Sequence, residues 1–367
     1  MEEKRIPMYD FPREYRLNKE KYIEAFDEVC LTGQFSDGVF AHRFEEDFAA
    51  YLGMPYAASV NSGTDALQLV LLSLGVGEGD EVIVPSATFT ATPGAVLMCG
   101  ARPVFADCDE KTWQITAAEI EKLITPKTKA VIGVHLYGGM FDADSVLAVT
   151  EKHGLPLIED TAQAFGSKYN GIYAGCFGKA GCFSFYPTKN LGAFGEAGCV
   201  VSADAELIKR VNALKEHDMR GNKYESLGFN MRMDGIQGAV MSFKLREMDA
   251  FLDKKRAIAT VYNEALAENT LLTSQFIPEN VLPSYHLFVV KTDEREKFRA
   301  YMSGRGIETG VQYPMPCHKQ KVFTDRFGEC SLPVTEDLMS KCVSVPIYPY
   351  LTDEEIGRVA ETLREYR

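Results

Sequence analysis

The chain has 367 residues and carries 39 Lys and Arg against 52 Asp and Glu, a formal net charge of −13. This acidic balance argues against a general nucleic-acid binder, because such affinity comes from Lys and Arg contacts to phosphates. It leaves room for a local basic pocket that binds a small anion. Apolar residues make up 46% and charged residues 25%, which is typical of a globular chain with a large core. The length favours two domains, or one large domain with an appendage.

Other classes of protein are disfavoured by what the sequence lacks. The charged start has no apolar core of a secretion signal, and no apolar run approaches the roughly 18 residues that span a bilayer. The nine cysteines are scattered without a C-x-x-C pair, and the six histidines form no i,i+4 pair. We therefore expect a cytoplasmic protein with no disulfide framework, no metal, no nucleic-acid partner and no membrane association.

The first two thirds of the chain alternate predicted strands and helices. A helix over residues 63–76 comes first, with its leucine and valine side chains on one face. After it come the strands Glu81–Pro85 and Pro103–Ala106, the helix Ala117–Leu123, the strand Lys129–Leu136, a helix ending near His153, and the strands Leu155–Ile158, Gly181–Phe185 and Gly198–Ser202. These strands are short apolar runs without alternation, as expected when helices cover both faces of a sheet. We predict an α/β fold with a mostly parallel central sheet between helices.

The last third predicts a smaller α+β domain. In order, it contains a long helix from Met233 to about Asn269, a strand Tyr285–Lys291, a helix Glu294–Ser303, a strand Thr309–Tyr313 and a terminal helix. Thr352 followed by Glu355 is a capping signal for that last helix. We predict a large domain over residues 1–250 and a small C-terminal domain over residues 251–367.

Two of four chemically suggestive segments precede predicted helices. In Asn61-Ser62-Gly63-Thr64-Asp65, small residues let backbone N–H groups and the Thr64 hydroxyl face an anion. Taken alone, an ordinary N-cap explains this segment better, because Ser and Thr before a helix are the usual caps. The segment over residues 228–233 leads into the long helix, and by composition it is only a loop with one arginine, Arg232.

The other two segments follow predicted strands. Asp160 lies at the carboxyl end of a strand, where open α/β sheets bind ligands. An ionised Asp160 could pair with a protonated pyridine nitrogen, or it could merely cap the next turn. Lys189 follows a strand within SFYPTKNLG, and its amine could form a Schiff base if its pKa is lowered. Ser184 in the same segment could contact a phosphate. A single lysine is more often a solvated loop residue.

Together, in this order and spacing, these segments resemble the DegT family of sugar-nucleotide aminotransferases, which are fold-type I pyridoxal-phosphate (PLP) enzymes. The resemblance covers nearly the whole chain from just after Gly33. It is carried by the stretches FSDG…FEEDFAAYLG, NSGTDAL, GDEVIVPSATFTAT, VHLYG, IEDTAQAFGS, SFYPTKNLG, GEAG, GFNMRM, GIETGVQYPMPCHKQ and SVPIYPYLTDEE.

The resemblance implies which residues act on the cofactor ring. Lys189 matches the catalytic lysine that binds PLP covalently and moves the proton. Asp160 matches the carboxylate that pairs with the pyridinium nitrogen and keeps the ring an electron sink. Gln163 matches the side chain near the 3-hydroxyl of the cofactor. Phe89 matches the aromatic residue that stacks on the ring, a role that suits offset stacking.

The resemblance also implies how the phosphate is held. Gly63, Thr64 and Ser184 match phosphate contacts within one subunit. Asn230 matches a residue that reaches the phosphate of the neighbouring subunit. The implied enzyme is therefore a homodimer with shared active sites.

The implied reaction moves an amino group from an amino acid, glutamate by family analogy, to a keto sugar linked to a nucleoside diphosphate. Tyr186 stands where many 4-amino-forming relatives have histidine, which favours a 3-keto-6-deoxy sugar; a 4-keto sugar is the alternative. Tyr186, Tyr313 and His318 are candidate contacts to the sugar or the diphosphate. Packing at the domain interface is the alternative for Tyr313 and His318.

Three other functions stay open. A sugar 3-dehydratase uses the same scaffold but replaces the lysine with histidine, so Lys189 disfavours it. A non-catalytic PLP-binding regulator would need a further interaction module, which this acidic chain lacks. An amino-acid aminotransferase would need an arginine clamp for the α-carboxylate, a role open to Arg232 or Arg220.

Overall fold

The computed structural model describes residues 5–367, with the backbone alone for Arg220. The helices of this region are α1 (Phe11–Thr32), α2 (Gly38–Leu52), α3 (Gly63–Ser73), α4 (Ala91–Met98), α5 (Ala117–Leu123), α6 (Ala143–Lys152), α7 (Ala205–Lys215), α8 (Gly235–Leu245), α9 (Met248–Leu266), α10 (Arg295–Gly304), α11 (Lys321–Phe327), α12 (Pro333–Lys341) and α13 (Asp353–Glu365). The strands are β1 (Tyr56–Val60), β2 (Glu81–Pro85), β3 (Arg102–Ala106), β4 (Thr128–Val134), β5 (Leu157–Asp160), β6 (Lys168–Tyr169), β7 (Ile172–Tyr173), β8 (Ala180–Ser184), β9 (Gly198–Ser202), β10 (Met219–Arg220), β11 (Lys223–Tyr224), β12 (Thr273–Ser274), β13 (Val281–Leu282), β14 (Phe288–Lys291) and β15 (Cys342–Val345).

A seven-stranded sheet in the order β1-β9-β8-β5-β4-β2-β3 forms the centre of the protein. The pairings from β3 to β8 are parallel, and β9 and β1 add two antiparallel pairings at one edge. On β9, Val200 joins the apolar core under α3, α4 and α7, whereas Cys199 and Val201 join the core under α2 and α8. Helices therefore cover both faces, which explains the continuous apolar strands. The predicted mostly parallel α/β sheet is confirmed.

A second core lies in the C-terminal third. It is built from the antiparallel sheet β12-β14-β15 with α9, α10 and α13, and it includes Ile6 from the N-terminal segment. The predicted capping box is present, because Thr352 Oγ1 accepts the Glu355 N–H at 3.2 Å and Glu355 Oε2 accepts the Thr352 N–H at 2.9 Å. The first turns of α9 pack with the large core and its later turns with this second core. The boundary at residue 250, within α9, stays a prediction.

The prediction of one helix from Met233 to about Asn269 is wrong. α8 ends at Leu245 and α9 begins at Met248. α8 packs on α2 and α9 packs on α13, while Leu245 and Met248, the residues on either side of the break, stay buried. Neither glycine nor proline lies at the break, and the apolar periodicity alone did not reveal it.

One predicted strand begins later in the structure, because a local hydrogen bond and a proline take the place of strand pairing. The Leu155 N–H bonds back to Thr150 O at 2.8 Å, and Pro156 has no N–H, so β5 begins at Leu157 rather than at Leu155. Asp160 thereby becomes the last residue of β5. The predicted strand Thr309–Tyr313 is wrong, because only Gly310 makes a bridge, to Ser344. None of the helices within residues 5–367 is both long and apolar enough to cross a bilayer.

Candidate active site

A cavity of about 520 Å³ opens at the carboxyl edge of the central sheet, where the last residues of β4, β5 and β8 meet. Because parallel strands end together at this edge, residues far apart in sequence share one wall. The cavity brings together the predicted site residues Gly63, Thr64, Phe89, Asp160, Gln163, Ser184, Tyr186, Lys189 and Tyr313. Asn230 and His318 are not part of this wall.

Lys189 follows β8 in a turn over residues 187–190, where its N–H bonds to Tyr186 O at 2.8 Å. Burial lowers the pKa of Lys189 to about 8, and the Asp160 carboxylate opposes this shift only in part. An amine with that pKa is partly neutral near neutral pH, and only the neutral amine is a nucleophile. Lys189 thus has the lowered pKa that a lysine needs to form a Schiff base.

This lowered pKa predicts how Lys189 reacts in the cofactor-free protein. The amine loses its proton as the pH rises through about 8, more than two units earlier than a free lysine side chain with its pKa of about 10.4. Trace acetylation with acetic anhydride between pH 6 and 11, read by peptide mass spectrometry, measures the midpoint. The exposed Lys127 serves as the reference in the same digest. A Lys189 midpoint near pH 10 would contradict the assignment.

Asp160 ends β5 with its carboxylate in the cavity wall. Its Oδ2 accepts the Thr92 hydroxyl at 2.7 Å and its Oδ1 accepts the Ala162 N–H at 3.1 Å. Burial raises the pKa of Asp160, whereas the Thr92 bond, the Ala162 bond and the Lys189 amine favour the ionised form. Such a carboxylate, fixed in orientation and held away from water, gains strongly from a cation placed beside it.

The preceding carboxylate has a different environment. Glu159 is fully buried, its oxygens accept the N–H groups of Gly175, Phe177 and Gly178 at 2.7–2.8 Å, and it contacts His135 Nε2 at 2.9 Å. Protein groups saturate Glu159, so Asp160 is the β5 carboxylate available to a ligand.

The N-terminus of α3 forms one end of the cavity. Ser62 Oγ caps the helix by accepting the Asp65 N–H at 3.1 Å. Gly63 and Thr64 belong to the first helical turn, whose N–H groups have no partner within the helix, and both line the cavity. A Cβ at Gly63 would lie 2.6 Å from Ser184 Cβ, so the helix end and β8 touch at backbone distance. The segment is therefore both an N-cap and a potential anion site.

Aromatic side chains also line the cavity. Phe89 is half exposed, and its ring centroid lies 5.4 Å from that of Tyr313. Gln163 Nε2 donates to the Tyr313 hydroxyl at 3.0 Å, and Gln163 Oε1 accepts the Tyr137 N–H at 2.9 Å. Phe89 shares the cavity with Asp160, Gln163 and Lys189, and its exposed ring offers a face on which a flat ligand could stack.

Two predicted residues lie elsewhere. Asn230 is exposed in a segment that bridges Glu216 and bonds to Asn61, outside this subunit's cavity wall. His318 is 1% exposed, and its ring nitrogens contact Ser86 Oγ at 2.6 Å and Glu336 Oε1 at 3.1 Å. These contacts match the packing alternative for His318. Arg232 does not line the cavity either, and the Arg220 side chain lies outside the described part of the chain.

Sequence reasoning missed several polar residues of the wall, among them Tyr9, Thr92, Glu196 and His286. The sequence could have indicated Thr92, because it lies three residues after the predicted stacking residue Phe89 in PSATFTAT. No sequence pattern indicates Tyr9, because only the fold brings the N-terminal segment to the cavity. Within residues 5–367, no group of three or more His, Cys, Asp and Glu side chains is placed to hold a metal ion.

The side chains of this cavity limit which cofactor it can bind. PLP reacts with a lysine amine, pairs its ring nitrogen with a carboxylate and needs an anion site for its phosphate. Lys189, Asp160 and the α3 N-terminus supply these three partners on one wall, and the close approach at Gly63 leaves no side chain to block the last. The fold and the site are those of a PLP-dependent transferase.

Comparison with known proteins gives the family. The model of the DegT/DnrJ/EryC1/StrS aminotransferase family matches residues 17–364, and the chain belongs to this family. It is 40% identical over 364 residues to the dTDP-3-amino-3,6-dideoxy-alpha-D-galactopyranose transaminase of Aneurinibacillus thermoaerophilus, covering 98% of this chain and 99% of that one. It is 37% identical over 366 residues to the pleiotropic regulatory protein of Geobacillus stearothermophilus, covering 98% of both.

Solved structures agree with the fold. The structure of DesV from S. venezuelae in complex with a ketimine intermediate has a TM-score of 0.96 at 37% identity, covering 99% of this chain and 98% of that one. The ntda structure from Bacillus subtilis, with bound cofactor PMP, has a TM-score of 0.91 at 31% identity, covering 99% and 85%. The chain is therefore a PLP-dependent aminotransferase of this family.

Proposed function

We propose that the chain transfers the amino group of glutamate to a keto sugar linked to a nucleoside diphosphate. The products are 2-oxoglutarate and the corresponding amino sugar nucleotide. The observation that carries this proposal is the pairing of Lys189, whose pKa lies at about 8, with the buried Asp160 carboxylate in one cavity.

Each protein group then has a separable task. When bound, PLP supplies an electron sink for the carbon that loses or gains the amine. Lys189 Nζ would carry the proton from the α-carbon of the donor to the bound cofactor in the first half-reaction and from the cofactor to the acceptor carbon of the sugar in the second, work worth about 10²–10⁴-fold. Asp160, oriented by Thr92, stabilises positive charge on the ring nitrogen. The α3 N-terminus and the Ser184 hydroxyl hold the phosphate.

The composition of the wall supports a sugar as the acceptor. Within the described residues, the wall includes the phenols of Tyr9, Tyr186 and Tyr313, and its cationic side chain is Lys189, with no arginine. Aromatic faces and hydroxyl donors suit a sugar. The absence of an arginine from the wall does not separate the two functions, because the donor glutamate brings the same α-carboxylate into this cavity.

The position of the new amine is proposed at C-3 of a 6-deoxy sugar. The relative at 40% identity is named for a 3-amino-3,6-dideoxy sugar, and Tyr186 lies in the wall, 47% exposed, where a substrate can contact it. A 4-keto sugar is the competing substrate. The presence of Lys189 argues against the dehydratase. The relative named as a regulatory protein keeps a regulator as a further alternative, which turnover would exclude.

A substrate panel tests the proposal. The purified holoenzyme is incubated with glutamate and with matched 3-keto and 4-keto dTDP and UDP sugars, and NMR reads the position and configuration of the new amine. We expect turnover on a 3-keto sugar and formation of 2-oxoglutarate in equal amount. Amination at C-4 would favour the 4-keto alternative, and loss of water without amination would favour the dehydratase. Activity with 2-keto acids alone would overturn the proposal.

We also propose a homodimer with shared active sites. Large apolar side chains are exposed on or just after α1 and near the β10–β11 hairpin, namely Phe26, Leu31, Phe35, Tyr224 and Leu227. Exposed apolar groups of this kind commonly mark protein interfaces. Asn230 lies close to this hairpin in sequence and would contact the phosphate bound by the partner.

Subunit complementation tests this arrangement. We expect Asn230→Ala to weaken cofactor binding and Lys189→Ala to be inactive. When the two variants are mixed under subunit exchange, half of the dimers are mixed and each regains one intact site, which restores about a quarter of wild-type activity. A mixture of Lys189→Ala and Ser184→Ala is the control. Both residues line the cavity of the same subunit, so the mixed dimers contain no intact site and should not regain activity. Failure of the first pair to complement would contradict the shared site.

A further inference from the structure

The segment before α1 is attached to the C-terminal third of the protein. Ile6 N donates to Gly306 O at 2.8 Å, and Glu308 N donates to Ile6 O at 2.9 Å. Met8 N donates to Glu308 Oε2 at 3.1 Å. These bonds fix the path of residues 5–10, so the following side chain, Tyr9, has a defined position.

That position is the active-site cavity. Tyr9 lines its wall beside Thr188, the residue before Lys189. The Tyr9 hydroxyl lies within hydrogen-bonding reach of the Thr188 side chain, and burial raises the pKa of Tyr9 to about 12. The contact with Thr188 lowers this pKa only in part. The phenol is thus neutral at physiological pH, and its hydroxyl can donate one hydrogen bond.

A second phenol lies next to it. Tyr9 and Tyr313 pack against the same apolar cluster, and both line the cavity. The Tyr313 hydroxyl already accepts the Gln163 amide at 3.0 Å, so its hydrogen is also available. Two neutral hydroxyl donors beside the reactive lysine suit an uncharged oxygen acceptor.

We propose that Tyr9 is a substrate-specificity residue that donates a hydrogen bond to a sugar hydroxyl next to the carbon that receives the amine. The proposal rests on the proposed sugar aminotransferase function. Thr188 adjoins Lys189, whose amine must reach the reacting carbon, so Tyr9 contacts the reacting end of the sugar rather than the nucleotide. Tyr9 also lies outside residues 17–364, the part that matches the family model, so this contact belongs to a segment that the family pattern does not define.

The test compares Tyr9→Phe with wild type and with Tyr15→Phe. Tyr15 is a half-exposed phenol on α1 that stacks on Tyr22 and does not line the cavity. For Tyr9→Phe, we expect the KM for the keto-sugar nucleotide found in the panel to rise about three- to tenfold, the effect of one lost neutral hydrogen bond. The half-reaction with glutamate, followed by cofactor absorbance, should stay within twofold. Tyr15→Phe should match wild type in both.

Binding measurements separate a sugar contact from a structural effect. By calorimetry, the amino sugar nucleotide product should bind Tyr9→Phe about three- to tenfold more weakly, while the nucleoside diphosphate alone binds both proteins equally. Equal loss for both ligands, or equal loss in the two half-reactions, would show a structural role and overturn the proposal. An unchanged KM would overturn it while leaving the sugar function intact. If wild type aminates no keto sugar, the proposed function fails, and the sugar contact fails with it.

Discussion

Replacement of Lys189 by alanine is expected to abolish turnover, with a fall of about 10⁴-fold or more, because the variant loses both the amine that binds the cofactor and the group that moves the proton. Borohydride treatment of the wild-type holoenzyme should leave the cofactor attached to Lys189 after denaturation. The variant should release it. Peptide mass spectrometry identifies the modified residue, and absorbance follows the release.

A control variant distinguishes this result from a general loss of a surface charge. Lys179 lies at 2.5 Å from Asp204 in a partly exposed ion pair away from the cavity, so Lys179→Ala should keep wild-type turnover and trapping. Addition of methylamine to Lys189→Ala should restore a small part of the activity if only the missing amine is at fault. Transamination by Lys189→Ala at the wild-type rate would refute the mechanism.

Asp160→Asn is expected to reduce turnover about 10²–10⁴-fold. The amide keeps the size of the side chain but cannot balance positive charge on the ring nitrogen, and removal of one partner from a buried ion pair costs about 3–5 kcal/mol. Since 1.36 kcal/mol corresponds to about tenfold in rate, the expected loss falls in that range. Pre-steady-state absorbance with glutamate should show that the proton-transfer step carries the loss.

Thr92→Val gives the matched comparison for Asp160. It removes the 2.7 Å hydrogen bond to Asp160 Oδ2 but leaves the carboxylate, so the charge remains and only its orientation is weakened. The expected loss is about 10- to 100-fold, the effect of one hydrogen bond to a charged group. If Thr92→Val is as damaging as Asp160→Asn, orientation rather than charge dominates at this position. If Asp160→Asn is fully active, the assigned role of Asp160 is wrong.

The sequence was informative where a short segment determines its own geometry. The local sequence predicts a turn at Lys189, a strand end at Asp160 and a helix start at Gly63. Because parallel strands end at the same edge of a sheet, their presence in one cavity could be predicted. No local sequence pattern predicts the features that depend on packing between distant parts of the chain. The break between α8 and α9 has no local marker, because it arises from packing on α2 and on α13. Tyr9 reaches the cavity through bonds to Gly306 and Glu308, about 300 residues away.

Glu159 and Asp160 are neighbouring carboxylates on β5, so the active site depends on the register of this one strand. Successive side chains of a strand point to opposite faces, so a shift of β5 by one residue would exchange Glu159 and Asp160. Glu159 would then face the cofactor with a longer side chain, and Asp160 would face the N–H groups of residues 175–178 with a shorter one. Such a misaligned chain would lose its buried hydrogen bonds together with its cofactor site. The hydrogen bonds of Glu159 therefore help to hold Asp160 in the cavity, although they lie outside the active site.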